Sequence, residues 1–243
     1  SLCINENAFR NKESMDEFLN VISLLEVKGF YIVIERASST AKSTEINPNV
    51  LVNIMLFIHN LSEINGFEVL VGYSDLISIP LSSVGNAHFA SGWYNNLKMF
   101  SEDNFRPSSG GRRPRKRYTS GTLLNSILLL PEFDALTRIG LSADIMYHSP
   151  YNRIISPTLN EPAWTDEISC CHNWHVINML IHEIEQQPTV IDKLDLLISK
   201  IEGAIHIYSQ IAEQQIGLET KSNNSHLNGW LSAVREFKEQ VGV

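Results

Sequence analysis

FYIVIE at 30–35 and EVLVGYS at 68–74, separated by NPNVLVNIMLFIHNLSEING at 47–66, decide the fold. The two flanking segments are short runs of apolar, β-branched and aromatic residues, the composition of a buried strand. The segment between them opens on Asn47, which can cap, and Pro48, whose fixed φ suits a first helical position. It is apolar for most of three turns and closes at Gly66, so a helix is expected there. Strand, helix, strand in this spacing is a parallel crossover unit.

Outward from this unit the pattern repeats. On the N-terminal side, Ser14 with Glu17 three residues on forms a capping box. Phe18, Val21, Ile22 and Leu25 follow at helical spacing as far as Lys28 and Gly29. On the C-terminal side, a short helix broken by Pro80 ends at Gly85, and AHFAS at 87–91 reads as a third strand. Near-continuous apolar strands alternating with helices imply an α/β fold whose parallel sheet is covered on both faces. Ligands of such sheets bind beyond the carboxyl ends of the strands. Here those ends are Glu35 and Arg36, residues 72–75, and residues 91–94.

Past residue 94 the pattern changes. Helices are expected near 119–130 and 131–139, with a short strand at 145–147. From Cys170 the chain reads as helical, with Ile191, Leu194, Ile198, Ile201, Ile205 and Tyr208 lining one helix and Leu227, Trp230, Leu231, Val234 and Phe237 lining another. Such stripes are core, or the seam of a homo-oligomer or partner complex. The expected division is an α/β domain over 1–165 and a helical region over 166–243.

At 243 residues and 43% hydrophobic, the chain can bury a substantial core. No apolar run reaches the length of a membrane span and no signal-peptide pattern opens the sequence, so no membrane association is expected. With Ser rather than Met as its first residue, the chain is expected to be a fragment or a processed chain. Three cysteines, two of them the adjacent Cys170 and Cys171, fit reduced thiols in the cytoplasm.

Net charge is −8, which opposes general affinity for polyanions, yet RPSSGGRRPRKR at 106–117 carries six cations and no acid. Arg112, Arg113, Arg115, Lys116 and Arg117 are the candidate contacts to the phosphates of a nucleic acid, and Tyr118 is a candidate base-stacking platform. The alternative for this segment is a solvated loop. At the strand ends, Glu35 and Asp75 are candidate acid or base groups, with His88 behind them. Gly72, Ser91 and Gly92 are candidate backbone for the close approach of an anion. Asp75 could equally serve to open the next helix. Cys171, His175 and His182 share a helix face near His172, but the spacing matches no established zinc pattern, and no metal or other cofactor is expected.

The order of LVGYSD, GNAHFASGWYNN, a glycine- and arginine-rich loop and a histidine-bearing helix resembles the late part of tRNA-guanine transglycosylase-like barrels over roughly 68–187. The resemblance implies a partial or complete (β/α) barrel, with nucleic acid as partner. It also shows departures. Ser91 or Gly92 stands where the family has a nucleophilic aspartate, and YHSPYN at 147–152 has the shape of a CxCxxC knuckle without its cysteines. A binding protein without the family's zinc and base exchange is the expectation. Two alternatives belong to other classes. One is an enzyme acting on a small phosphorylated or nucleoside-like substrate, with Glu35 or Asp75 as base. The other is an assembly subunit pairing through its C-terminal helices.

Overall fold

The structure is a computed structural model that describes residues 1–37, 42–92, 97–106, 115–155 and 163–242. Four parallel strands, β1 (Leu2–Asn5), β2 (Gly29–Glu35), β3 (Glu68–Gly72) and β4 (Ala87–Ala90), form a sheet in the order β1-β2-β3-β4. The expected parallel α/β sheet is therefore present, with one strand more than the sequence reading found. Helix α1 (Lys12–Ile22) joins β1 to β2, α2 (Pro48–His59) joins β2 to β3, and α3 (Ser78–Ser82) lies between β3 and β4.

Sequential strand order has a strong consequence. Right-handed crossovers that always step to the next strand in the same direction place every connecting helix on the same face. The expectation of a sheet covered on both faces is thereby corrected. Ile32 and Val71 lie in register on the helix-covered face and are buried, as are Phe30, Val69 and Ala87. On the opposite face Tyr31, Leu70 and His88 pair in one row and are exposed, as are Cys3 and Ala90 in the next.

Local chemistry explains the helices. Asn47 Oδ1 accepts from the N–H groups of Asn49 (3.0 Å) and Val50 (3.4 Å), so Asn47 caps α2 with Pro48 at its first position. The cap of α1 is Asn11, whose Oδ1 accepts from Ser14 N–H at 3.2 Å, and not Ser14 itself; the helix ends at Ile22. Every residue from Val50 to Ile58 is buried. A helix apolar on all sides needs cover on all sides.

Beyond the sheet, β5 (Arg117–Ser120) and β6 (Asn125–Leu128) form an antiparallel hairpin in place of the helix expected near 119–130. The short helices α4 (Asp134–Arg138) and α5 (Ser142–Ile145) follow; at 145–147, where a short strand was expected, α5 ends and no strand forms. Three long helices complete the chain: α6 (Asp166–Glu185), α7 (Val190–Glu213) and α8 (Leu227–Gln240). Thr165 and Thr189 cap α6 and α7 through their hydroxyls. Helix α6 packs on α3 and β5, and α8 lies between α7 and α2, closing the outer side of α2.

The apolar stripes expected in the helical region are internal. Leu194, Ile201, Tyr208, Leu227, Trp230, Val234 and Phe237 are all buried within one chain, in a core cluster that runs continuously from Phe9 to Phe237. Ile191, at the start of the stripe, is exposed. Among the described residues no helix is long and apolar enough to cross a membrane.

Candidate functional site at the carboxyl ends of the strands

Chain reversal after β3 creates the site. Tyr73 and Asp75 both take positive φ, 55° and 35°. This left-handed region costs a non-glycine residue of order 1 kcal/mol or more and persists only where the surroundings impose it. Asp75 is 3% exposed. Its Oδ2 accepts from Ser43 Oγ at 3.0 Å, its Oδ1 accepts from Asn173 Nδ2 at 3.1 Å, and Lys98 Nζ stands 3.5 Å from Oδ1. Three distant parts of the chain therefore converge on one carboxylate: the loop after β2, the segment after β4, and α6.

Each partner is itself held. Arg36, at the end of β2, donates Nη1 to Ser43 O at 3.1 Å and Nη2 to Glu45 O, while its Nε meets Glu6 Oε2 at 2.7 Å. Trp230 Nε1 of α8 donates to Thr44 O at 3.0 Å. Lys42, its charge disfavoured by burial, donates to Asn223 Oδ1 (2.5 Å) and Ser225 Oγ (2.8 Å). The segment carrying Ser43 is thus stapled on both sides, which fixes its hydroxyl on Asp75. Ser43 and Lys98 also line a cleft with Arg36, Gly72, Tyr73 and Met99. The cleft leaves about 20 Å³ free, room for a single water. Lys98, at one side of it, is partly exposed.

Glu35 lies at the rim of the open sheet face, in the same alternation as Tyr31 and Val33, and accepts from Asn5 Nδ2 at 2.8 Å. Glu35 and Asp75 therefore occupy the same end of the sheet, Glu35 on the strand and Asp75 in the loop behind it. His88 stands on the open face and not in the helix packing.

The glycines have structural occupants. A Cβ on Gly72 would lie 2.2 Å from the Tyr31 hydroxyl, so its absence makes room for that ring across β3. A Cβ on Gly92 would lie 2.1 Å from Leu97 Cβ, and the Gly92 N–H donates to Leu97 O at 3.1 Å. Close approach at these positions is by the chain itself. Ser91 keeps a buried hydroxyl without a partner.

Of the arginine-rich segment, Arg112 and Arg113 lie outside the described residues. Arg115 and Arg117 both form ion pairs with Glu219. Arg117 also donates to Ser126 O (2.7 Å) and Ser222 Oγ (3.0 Å), and its burial disfavours the charged form. Lys116 is likewise engaged within the chain. Beneath them Glu132, 3% exposed, accepts from the N–H groups of Leu128 (2.6 Å) and Glu219 (2.7 Å) and from Ser222 Oγ (2.6 Å). Strand β5 turns Tyr118 inward. It is 0% exposed, its ring packs against Phe133, Trp164 and His172, and its hydroxyl donates to Asn152 Oδ1 at 2.9 Å. The expectation of a stacking platform is corrected, because the ring has no face open to a base.

On α6, His172 is buried. Its Nε2–H donates to Thr119 O at 2.8 Å and its Nδ1 accepts from Ser149 Oγ at 2.9 Å; burial lowers its pKa to about 4. It is a neutral cross-link between α6 and β5. Among the described residues no three His, Cys, Asp or Glu side chains stand where they could hold a metal ion together, and Cys171, His175 and His182 form no such group. What the sequence reading missed were the partners of Asp75: Ser43, Lys98 and Asn173 carry no local signal.

No family model, no curated protein and no solved structure matches this chain.

Proposed function

We propose that this is a nucleic-acid-associated α/β protein, related to transglycosylase-like barrels, that receives a nucleoside-type group at the carboxyl ends of β2 and β3 and holds the adjoining phosphates with the arginine-rich segment 106–117. The observation that supports this reading is Asp75. A buried carboxylate at a strand end, on left-handed backbone, with a displaceable ammonium 3.5 Å away, is a site with one acceptor and one cation ready for exchange. A base edge bearing N–H donors pairs with the carboxylate, as Asp and Glu do with exocyclic amines. The released Lys98 ammonium then faces phosphate. The segment leaving Lys98 leads within a few residues to Arg106, so phosphates of the same strand pass directly to the cationic stretch.

Labelled single-stranded RNA and DNA, titrated with the protein between about 50 and 200 mM salt, test this reading. Affinity is expected to fall with salt. The triple change Arg112→Glu, Arg113→Glu, Arg115→Glu is expected to weaken binding by more than about tenfold and flatten the salt slope, and Lys98→Ala to reduce that slope by about one. Affinity unaltered by the triple change at both salt levels would sink the proposal.

A second reading rests on the strained φ values at Tyr73 and Asp75, which fit a catalytic group held in fixed geometry. In it, Asp75 or Glu35 is the general base of an enzyme acting on a small nucleoside-like or phosphorylated substrate. Saturation-transfer NMR against nucleosides and their monophosphates separates the two. The enzyme reading requires a signal from a free monomer that Asp75→Asn abolishes.

A further inference from the structure

We propose that Tyr73, Phe100 and Phe105 form a platform on which successive bases of a single nucleic-acid strand stack between the arginine-rich segment and Asp75, an inference that rests on the reading of this chain as nucleic-acid-associated. The three rings are joined in series. Tyr73 and Phe100 meet edge to face, with centroids 5.3 Å apart and planes at 67°, and Phe100 meets Phe105 at 5.7 Å and 55°. Tyr73 precedes Asp75 by two residues, and Phe105 directly precedes Arg106, where the cationic stretch begins. The row therefore links the turn that carries the buried carboxylate to the candidate phosphate contacts.

Backbone pairing sets the row in place. Glu35 pairs with Asn5 of β1 on one side, and on its other side, past the last pair of β2 with β3 at Gly72, it forms a single parallel bridge with Phe100. The Arg36 N–H donates to Phe100 O at 2.9 Å. Paired neighbours in a sheet point to the same side, so Phe100 shares the open side with Glu35, while Met99 next to it is buried along the cleft. The 3₁₀ turn Glu102–Phe105 then folds back. Asn104 Nδ2 donates to Met99 O at 3.0 Å and the Asn104 N–H to Ser101 O at 3.0 Å, which brings Phe105 onto Phe100.

Phe105 is the ring that lacks cover. It is 73% exposed, more than any other Phe, Tyr or Trp among the described residues. A ring anchored through Phe100 and otherwise bare offers a π-face, and stacking on such a face accepts any base. Phe100 and Tyr73 are half-buried and extend the row inward. Cations flank it, with Lys98 two residues before Phe100 and Arg106 directly after Phe105. Arg106 meets Asp103 at 3.0 Å, an exposed ion pair of the kind that contributes little and yields to phosphate. Glu35, beside Phe100, is an acceptor for the exocyclic amine of a base stacked there. The stacking ring expected at Tyr118, after the cationic stretch, is thus supplied by Phe105 before it.

Fluorescence anisotropy at about 50 mM salt tests the platform, with a labelled single strand of about twelve nucleotides and the same strand built wholly of abasic sites. The protein is expected to favour the base-bearing strand at least about tenfold. Phe105→Leu keeps an apolar contact with Phe100 and removes the π-face. It is expected to weaken binding of the base-bearing strand at least about fivefold and to leave binding of the abasic strand within about twofold, with the urea midpoint unchanged. Phe105→Trp is expected to restore or exceed the wild-type affinity. Equal wild-type affinity for the two strands overturns the platform and leaves the phosphate contacts standing, and so does Phe105→Leu binding the base-bearing strand as the wild type does or losing affinity for both strands alike. Binding of neither strand removes the platform and the nucleic-acid reading together.

Discussion

The two faces of the four-stranded sheet are built from similar residues and meet different fates. Toward the helices, Phe30, Ile32, Val69 and Val71 are sealed beneath α2, which α8 covers in turn. Toward the other side, Tyr31 and Leu70 of the same two strands lie open. Strand apolarity therefore does not report burial by itself. Topology assigns cover to one face, and the carboxyl rim of the uncovered one carries Glu35.

The largest expected effect lies on the sealed side. Trp230→Ala removes an indole that is 0% exposed together with the hydrogen bond to Thr44 O, and should cost about 4 kcal/mol in urea unfolding. Acid acts on the same side. His172 and His226 are held neutral by burial, each with a pKa of about 4 against 6.5 when free. The unfolded chain binds protons first, so stability is intact above pH 6.5 and falls as pH drops toward 4. Each histidine contributes a loss of up to about 3 kcal/mol there. Unfolding midpoints at pH 7 and 5 check the sign, and His172→Gln should reduce the dependence. Glu132→Gln, which weakens the tie between β6 and residues 219–222, should cost about 2 kcal/mol by the same measurement. Leu70→Ala, on the open face, should cost less than about 1 kcal/mol. A Leu70→Ala cost matching that of a buried leucine would erase the contrast between the faces.

Periodicity made β2, α2 and β3 legible, because each is long enough to show its pattern and α2 carries its own cap in Asn47 and Pro48. Strand β1 escaped because LCIN is only four residues, too short to show an alternation of its own. The β5–β6 hairpin escaped because its apolar run reads equally as helix. Its turn places Leu124 at φ 51° where a glycine or asparagine would have announced it. Asp75 was visible as a carboxylate at a strand end, but Ser43, Lys98 and Asn173 reach it from other elements. The charge of the arginine-rich segment was equally visible, while Glu219, which pairs with Arg115 and Arg117, lies about a hundred positions away in sequence. Local pattern reports what a residue can do; long-range closure decides what is left for it to do.

The burial of α2 has a bearing on how the chain is made. Residues 50–58 leave the ribosome long before Trp230 and Phe237, which complete their cover. At roughly 5–20 residues per second the interval is of the order of ten seconds or more. During that time the most greasy helix of the molecule has only its sheet side occupied. Nascent chains lacking α8 are expected to be clients of chaperones that hold apolar helices, and release should coincide with emergence of the final helix.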